Sequence, residues 1–591
     1  MQHIVNKTYR YSGIGLEGRF FISLLLIAFG FSAIAQEDEN LGTEVVNVVK
    51  PYTPTISDAF KAKETPSMND SIRTQKKEVE YNIFSVPVAS TFTPAKGKAT
   101  AVEKAKPLKL YDSYASLGFG NYTSILGELY SNFQISRTDN AGFFFRHNSS
   151  QGDVDGVFAE NKYYDTQLDA NYTSRQRDAS YRLDAGLEHQ LFNWYGIGAS
   201  YALPFEEFLD PTDIKQTYFS SYVGGEITID ESLFEGATAK LRYTADAFSS
   251  SEVHFNAKPT FSFPLRDFDL KIDSELDYIS GSFDRMFLEG PGFEYSYLNA
   301  GVAPSFVYLN DDLTLSLGVA AYVSLNTKAS ESSLFVYPRI NVSYRLVDAV
   351  LIVYGGADGG LDQNSYYGFK SENPFVSPTL LVAPTSHTFN GFAGIKGKLS
   401  NEVGYNVRAS YSQDENHAFF NTNVFADANS DSKGYEYGNS FQVVYDDLNT
   451  LDVFGELKIA ISENFSLGAS ANIYSYDTKN ETEAWNKPSL KATVFSNFNF
   501  TEKLYGGASL FYVGERKDRT IAVGPFIIPD PVIKTLDPYL DANVHLGYHI
   551  NERFSVFAKG SNLIGENYEK WYGYPVQSIQ LLAGATYKFD W

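Results

Sequence analysis

The chain of 591 residues contains 16% aromatic residues, yet its mean hydropathy is only −0.25. A helical membrane protein needs runs of about 20 apolar residues, and beyond the N-terminus the sequence has none. A net charge of −23 argues against nucleic acid as a partner, because phosphate backbones select basic surfaces. The absence of Cys excludes disulfide bonds and a lipid-modified Cys anchor.

The N-terminus has the pattern of an export signal. Basic residues precede the apolar run Phe20–Phe31, and Ala33-Ile34-Ala35 supplies the small residues of a cleavage site. The run is short for a bilayer span, so residues 1–35 are predicted to be a removable signal peptide rather than a retained anchor.

Residues 36–110 form a second zone that is rich in Pro and, towards its end, in Lys. Prolines at this density prevent long helices and central strands, so an extended periplasmic segment is predicted. One apolar stretch in it is a candidate for a strand that docks on a partner sheet, with a flexible linker as the alternative. The stretch consists of Thr43, Glu44, Val45, Val46, Asn47, Val48 and Val49.

Residues 111–591 repeat a single pattern of alternation. Between residues 236 and 248, Ala239 and Leu241 share one face of a predicted strand, whereas Lys240 and Arg242 share the other. A soluble sandwich would not place charges on the inner face of strand after strand, but a water-filled barrel lumen tolerates them. The fold class predicted is therefore all-β, a transmembrane antiparallel barrel.

Turns of alternating length support the same fold. Short turns at 310–312 and 462–464 contrast with long polar loops at 363–386 and 414–434, which is the asymmetry of an outer-membrane barrel. We count roughly 20–22 strand candidates, and a barrel of this size has a wide lumen.

The last strand predicts where the barrel closes. Tyr587, Phe589 and Trp591 alternate with polar residues up to the end of the sequence. Such an aromatic terminal strand is typical of outer-membrane barrels, where it meets lipid and sits in the interfacial girdle. It is also the predicted signal for barrel-insertion machinery, and the predicted surroundings are outer-membrane lipid and lipopolysaccharide.

Two stretches resemble TonB-dependent receptors of the Bacteroidetes type. Residues 560–569, followed by Gly573-Tyr574-Pro575, resemble the C-terminal strands of these receptors, and residues 372–378 with 392–397 look like their asparagine-proline strand and the strand after it. The resemblance covers roughly residues 111–591. It implies the outer membrane of a Gram-negative bacterium as the location, with the N-terminal segment in the periplasm.

The chain also departs from these receptors. They carry a large globular plug before the barrel, whereas only the Pro-rich residues 36–110 stand there in this sequence. We therefore predict a wide barrel without a plug domain. Its lumen is then filled by inward-folded outer loops, by the N-terminal segment or by a partner protein.

One loop has the spacing of a calcium site. Asp427, Asn429 and Asp431 place oxygen ligands at every second residue, and Glu436 is a candidate for the missing acidic ligand at the end of the loop. Position twelve of the pattern is Gly438, so the match is partial, and an acidic outer loop without a metal is the alternative. No other cofactor is predicted.

Three functions remain open on the sequence. The main hypothesis is a non-enzymatic subunit of a larger outer-membrane complex, concerned with protein insertion or export and bound to other outer-membrane or periplasmic proteins. The alternative is a solute channel or transporter gated by its loops or by the N-terminal segment. An enzyme ranks last, because the eight His residues are dispersed and no catalytic motif is present.

Overall fold

The computed structural model describes residues 109–197, 213–266, 268–287, 290–425, 433–521 and 531–591. The predicted export signal, nearly all of the N-terminal segment and its candidate docking strand at 43–49 lie outside these residues, as do Asp427, Asn429 and Asp431. The predictions made for them stay predictions.

The described part of the chain folds almost entirely into strands. In chain order the elements are β1 (Ser113–Gly120), β2 (Ile125–Gln134), β3 (Asp139–Ser150), β4 (Tyr163–Arg175), β5 (Ala179–Asn193), β6 (Lys215–Ile229), β7 (Phe234–Asp246), β8 (Ser251–Leu265), β9 (Phe268–Met286), β10 (Gly290–Leu309), β11 (Leu313–Asn326), β12 (Glu331–Val347), β13 (Leu351–Asp362), α1 (Tyr366–Glu372), β14 (Thr385–Lys398), β15 (Val403–Thr422), β16 (Phe441–Ser462), β17 (Phe465–Thr478), β18 (Leu490–Asn499), β19 (Leu504–Val513), β20 (Arg516–Ile521), β21 (Pro531–Leu536), β22 (Tyr539–His549), β23 (Phe554–Ser561), β24 (Glu569–Trp571), β25 (Tyr574–Pro575) and β26 (Gln580–Phe589).

Twenty-two of the described strands form one closed antiparallel sheet. Each strand pairs with its neighbour in sequence, except where the hairpins β20–β21 and β24–β25 stand apart in loops. The sheet closes where β1 pairs with β26, from Ser113 opposite Phe589 to Gly120 opposite Leu582. Closure removes the unpaired edges that an open sheet would expose. The prediction of an all-β antiparallel barrel with 20–22 strands is confirmed. No helix among the described residues has the length and apolar character to cross a membrane.

The two faces of the wall differ as the alternation predicts. Leu183, Leu187 and Val223 point outwards and are 55%, 46% and 63% exposed, although they are apolar. Arg182 and Asp184 flank Leu183 in β5 and face the lumen, where they form an ion pair at 3.2 Å. An exposed apolar outer face with a charged inner face is the arrangement of a barrel that is surrounded by lipid and contains water.

Loop length separates the two ends of the barrel. Both termini of the sheet lie at one end, together with short turns such as 310–312 and 463–464, which confirms the short turns predicted from sequence. The long segments, among them 363–384 and 562–579, lie at the other end.

The prediction that a long loop begins at residue 414 and ends at 434 is wrong in its first residue. Strand β15 continues to Thr422, and its pairing with β16 resumes after a bulge between Asp414 and His417. At the bulge, extra residues of β15 stay unpaired while the strand continues, so the loop begins only at residue 423.

The closing strand has the geometry that its sequence pattern predicts. Tyr587 and Phe589 share the outward face of β26, with ring centroids 6.1 Å apart. Trp591 follows the strand, and its ring lies 5.4 Å from Phe589 and 5.7 Å from Phe133. The three aromatic residues thus form a patch at the short-turn end of the wall, at the strand junction that closes the barrel.

Candidate functional site

Long loops fold inwards at one end of the barrel and pack against each other and the lumen wall. We call this assembly the loop closure. It combines residues 194–197, 363–384, 433–440 and 562–579 with wall residues that face the lumen. Its buried core consists of Tyr218, Ile279, Phe283, Tyr295, Tyr366, Phe369, Val376, Leu380, Val382, Phe420, Phe441, Val443, Trp571 and Tyr574. Inward-folded outer loops were one of the three fillings that the sequence left open.

The centre of the loop closure is an aromatic stack between two loops. The ring of Phe375 lies on that of Tyr574, with centroids 3.7 Å apart and planes 20° apart. Tyr195 packs edge-on against Tyr574 at 4.8 Å and donates its hydroxyl to the carbonyl oxygen of Pro575 at 3.1 Å. Trp194 donates its indole N–H to the carbonyl oxygen of Phe375 at 3.1 Å. Ring contacts and hydrogen bonds thus join three loops at one point.

The two sequence stretches that resemble TonB-dependent receptors therefore meet at the stack. Gly573 has a φ of +76°, which suits a tight turn between β24 and β25 and delivers Tyr574 to Phe375. Asn562 has a φ of +49°, and its side-chain amide donates to the carbonyl oxygens of Glu566 and Gln577 at 2.7 and 2.9 Å. These two residues shape the loop 562–579.

The expected asparagine-proline strand is not a strand. Residues 372–378 end α1 and continue as a loop, in which only Val376 forms an isolated bridge to Phe441. Asn373 caps α1, because its backbone N–H donates to the carbonyl oxygen of Phe369 at 2.8 Å. Pro374 has no N–H for a sheet ladder, and its carbonyl instead accepts from the hydroxyl of Tyr218 at 3.0 Å. The strand expected after it, at 392–397, is confirmed as part of β14.

Helix α1 begins on a carboxylate of the lumen wall. Ser365 is its N-cap and accepts from the backbone N–H of Gly368 at 2.9 Å. Glu252 of β8 accepts from the backbone N–H groups of Tyr366 and Tyr367 at 2.6 and 3.2 Å. It is 2% exposed and also accepts from the hydroxyl of Tyr295 at 2.6 Å. The free backbone N–H groups in the first turn of α1 thus donate to a carboxylate of the lumen wall, in agreement with the preference of helix N-termini for anions.

The last turn of α1 is attached to the wall through its own buried lysine. The ammonium of Lys370 donates to Glu188 at 3.1 Å and to Gln190 at 2.6 Å, both on β5. The Lys370 side chain is fully buried, and burial lowers the pKa of its ammonium, while the charge of Glu188 opposes this effect. Arg242 of β7 lies 3.6 Å from the ring centre of Tyr367, as a cation–π contact.

Further contacts join the neighbouring loops to this assembly. Asn439 donates its side-chain amide to the carbonyl oxygens of Trp194 at 2.7 Å and Gly434 at 2.8 Å. Glu436, the remaining residue of the predicted calcium loop, is 2% exposed; its carboxylate pairs with Arg285 and accepts from the backbone N–H of Lys433 at 2.7 Å. Its oxygens are thus engaged in the loop closure, and calcium binding stays a prediction. No group of three or more His, Asp or Glu within the described ranges has the arrangement of a metal site.

Sequence reasoning found part of this site. Its alternation placed Arg242 on the lumen wall. It missed α1, Lys370 and Glu252, because a seven-residue helix between Gly and Pro residues carries no periodic signal. The Ser365 cap is a signal that was available in the sequence.

Comparison with known proteins supports the fold. No family model and no curated protein matches the sequence. Among solved structures, the iron transporter FrpB from Neisseria meningitidis is 10% identical, with a TM-score of 0.60 over 81% of this chain and 82% of that chain. The copper transporter OprC is 11% identical, with a TM-score of 0.58 over 82% of this chain and 81% of that chain.

A third solved structure is the FpvAI–pyocin S2 complex, which is 11% identical, with a TM-score of 0.59 over 82% of this chain and 71% of that chain. These similarities concern the fold, because the sequence identities are low. Together with the apolar outer face, they show that this chain has the fold of the TonB-dependent receptors of the Gram-negative outer membrane, a closed barrel of 22 strands among the described residues.

Proposed function

We propose that the protein is an outer-membrane solute transporter whose lumen is gated by the loop closure. The observation that carries the proposal is the attachment of α1 to the lumen wall. The helix lies in the loop between β13 and β14, and its residues form hydrogen bonds to β5, β7 and β8. Three carboxylates of the wall hold it: Glu188, Asp246 and Glu252. These contacts can break without disturbing a single strand pairing of the wall, so the lumen can open while the barrel stays intact.

The similar structures support transport over the sequence-based main hypothesis. They include an iron transporter, a copper transporter and the ferric-catecholate import receptor Fiu from E. coli. None of these three is described as a subunit of an insertion or export complex, and the subunit hypothesis stays an untested prediction. Affinity purification from native membranes tests it, because stoichiometric co-purifying membrane proteins would favour the subunit over the transporter.

Conductance in planar lipid bilayers tests the gating. The full chain is compared with the double variant Glu252→Gln/Lys370→Met, which removes two of the charged groups that hold α1 while keeping side chains of similar size. We expect more frequent and longer openings in the variant. The control is Glu456→Gln/Lys458→Gln, which removes a wall ion pair of 2.9 Å that has no contact with α1. Equal conductance in all three proteins would contradict the proposal.

A deletion of residues 36–110 distinguishes the two gates that the sequence left open. If the loop closure is the gate, the double variant opens the barrel both with and without this segment. If only the deletion opens the barrel, the gate lies in the N-terminal segment and the proposed role of the loop closure is wrong.

A further inference from the structure

A cavity of about 250 Å³ lies on the lumen side of the wall, at its long-loop end. Strands β10–β12 bound it on one side, and the end of the loop 363–384 and the bulge of β15 bound it on the other. Its volume is below the range of about 300–1,000 Å³ that is usual for drug-sized ligands, so it suits a smaller solute.

Two carboxylates and no cation line this cavity. Glu331 begins β12 and lies directly opposite Asn326, whereas Glu415 lies in the bulge of β15, directly opposite Ser386. Both are exposed to solvent. Within the described ranges, no side-chain nitrogen of a Lys, Arg or His lies within 4.0 Å of either carboxylate, and neither accepts a hydrogen bond.

The cations near the cavity have acidic partners of their own. Lys328, in the turn before β12, pairs with Glu294, and Lys479, in the loop after β17, pairs with Asp447 at 2.6 Å. His387, at the start of β14, is held between two carboxylates at 2.7 and 3.1 Å. The charges of the cavity without a partner are therefore negative.

A buried hydroxyl also faces the cavity. Ser324 is 6% exposed and stands in β11 between Val323 and Leu325, which point outwards, so its side chain points into the lumen and lines the cavity. Its hydroxyl has no hydrogen-bond partner among the residues that the structure describes. A buried polar group without a partner is unfavourable, so this hydroxyl gains from a ligand that donates to it.

Two aromatic rings belong to the same lining, those of Tyr297 in β10 and Phe335 in β12. The ring of Phe335 stacks on that of Tyr337, with centroids 6.1 Å apart and planes 4° apart. Aromatic rings attract a cation that lies over their face. Carboxylates, a free acceptor and aromatic rings thus favour the same kind of ligand.

We propose that this cavity binds a small organic cation that carries ammonium or guanidinium groups, with Glu331 and Glu415 as its ionic partners and Ser324 as a hydrogen-bond acceptor. The inference rests on the proposed function in that it names the class of solute. A bare metal ion suits the cavity less well, because two carboxylates are few for Ca²⁺ and no group of three or more acidic or His residues in the described part of the chain is arranged to hold a metal. Pro384, at the end of the loop that carries α1, also lines the cavity, so a bound solute contacts the proposed gate.

Isothermal titration calorimetry of the full chain in a non-ionic detergent, at constant ionic strength, tests the site. Putrescine is the ammonium probe, agmatine the guanidinium probe, and 1,4-butanediol the neutral analogue of putrescine. We expect at least one of the two cations to bind and the diol not to bind. The Kd of the cation should rise about tenfold or more in Glu331→Gln/Glu415→Gln, because hydrogen bonds between charged groups are the strong ones.

The control variant is Glu160→Gln/Glu294→Gln. It removes the same number of charges, but each of its carboxylates pairs with a lysine and neither lines the cavity. Its Kd should stay within about twofold of the unmodified protein, as for surface ion pairs. A further variant, Phe335→Leu, keeps an apolar side chain but removes the ring, and its Kd should rise about two- to fivefold.

Four outcomes would overturn the site. They are the absence of binding by both cations, binding of the diol as tight as that of putrescine, an unchanged Kd in Glu331→Gln/Glu415→Gln, and an equal loss of binding in the control. Titration measures no flux, so its failure leaves the gating proposal standing, and a failure of the conductance test leaves the cation site standing.

Discussion

The wall of the barrel and the loop closure are built in different ways. The wall is held by backbone hydrogen bonds between 22 strands, and its side chains need only alternate between apolar and polar. The loop closure is held by individual side chains, such as the stack of Phe375 on Tyr574 and the pair of Lys370 with Glu188. Single substitutions should therefore change the loop closure strongly and the wall weakly.

The largest effect is expected for Tyr574→Ala. Tyr574 is 1% exposed and touches Phe375, Tyr195 and Phe441, so its truncation leaves a cavity at the centre of the loop closure. We expect local destabilisation of about 3–5 kcal/mol. Limited proteolysis should then cleave the loop 363–384 faster, while the barrel should keep its resistance to unfolding in sodium dodecyl sulfate. If wall and loops lost their stability together, the two regions would not be independent.

A smaller effect is expected for Lys370→Met. Glu188 loses its cation but still accepts from the hydroxyl of Tyr367 at 3.1 Å, so we expect a cost of about 1.5–3 kcal/mol, confined to α1. Hydrogen exchange of the α1 amides measures it. A double-mutant cycle with Glu188→Gln isolates the pair, and additive effects of the two substitutions would show that the ion pair does not hold the helix.

The hairpin β20–β21 should depend on pH. Asp518 is fully buried, and burial raises the pKa of its carboxyl to about 6, although Thr422 donates to it with its N–H and hydroxyl at 3.1 and 2.9 Å. The folded state then holds the proton more tightly than the unfolded chain does. Its contribution to stability is complete below pH of about 4 and is lost as the pH rises through about 6.

Hydrogen exchange of the described hairpin amides, corrected for their intrinsic rates, tests this dependence. We expect slower exchange at pH 5 than at pH 7. The variant Asp518→Asn should lose the difference, and a difference that persists in the variant would assign the effect to another group.

The smallest effect is expected on the outer wall. Leu183→Ala shortens a side chain that is 55% exposed on the lipid side, and the strand pairings of β5 do not depend on it. We expect a cost below that of the two substitutions in the loop closure, because lipid fills the vacated space and no cavity remains. Urea unfolding of the barrel in detergent micelles measures it, and a cost as large as that of Tyr574→Ala would remove the contrast between wall and loops.

The sequence predicted the wall in detail because its signal is local. Alternation with a period of two assigns each residue to a face, as for Lys240 and Leu241, and the aromatic residues up to Trp591 identify the closing strand. Turn length then separates the two ends of the barrel. The number of strands could be predicted as 20–22 for the same reason. The end of β15 was predicted too early, because a bulge interrupts its pairing at Asp414.

The loop closure could be predicted only in outline. The alternation in the sequence placed Arg242 on the lumen wall, but it did not show that a loop after β13 supplies Lys370 to Glu188 and Tyr366 to Asp246. Residues 372–378 were expected to be a strand because of a resemblance. They instead end α1 and continue as a loop, because Asn373 caps the helix and Pro374 has no N–H for a sheet.

By itself, then, the sequence determined that the chain forms a lipid-facing barrel of roughly 20–22 strands, because strand periodicity is a property of neighbouring residues. The tertiary structure alone decided what lies across the long-loop end of the lumen. Contacts such as Phe375 with Tyr574 and Glu252 with Tyr366 join residues that are more than a hundred positions apart. Such partners are chosen by the shape and charge of the assembled wall, and no local pattern encodes them.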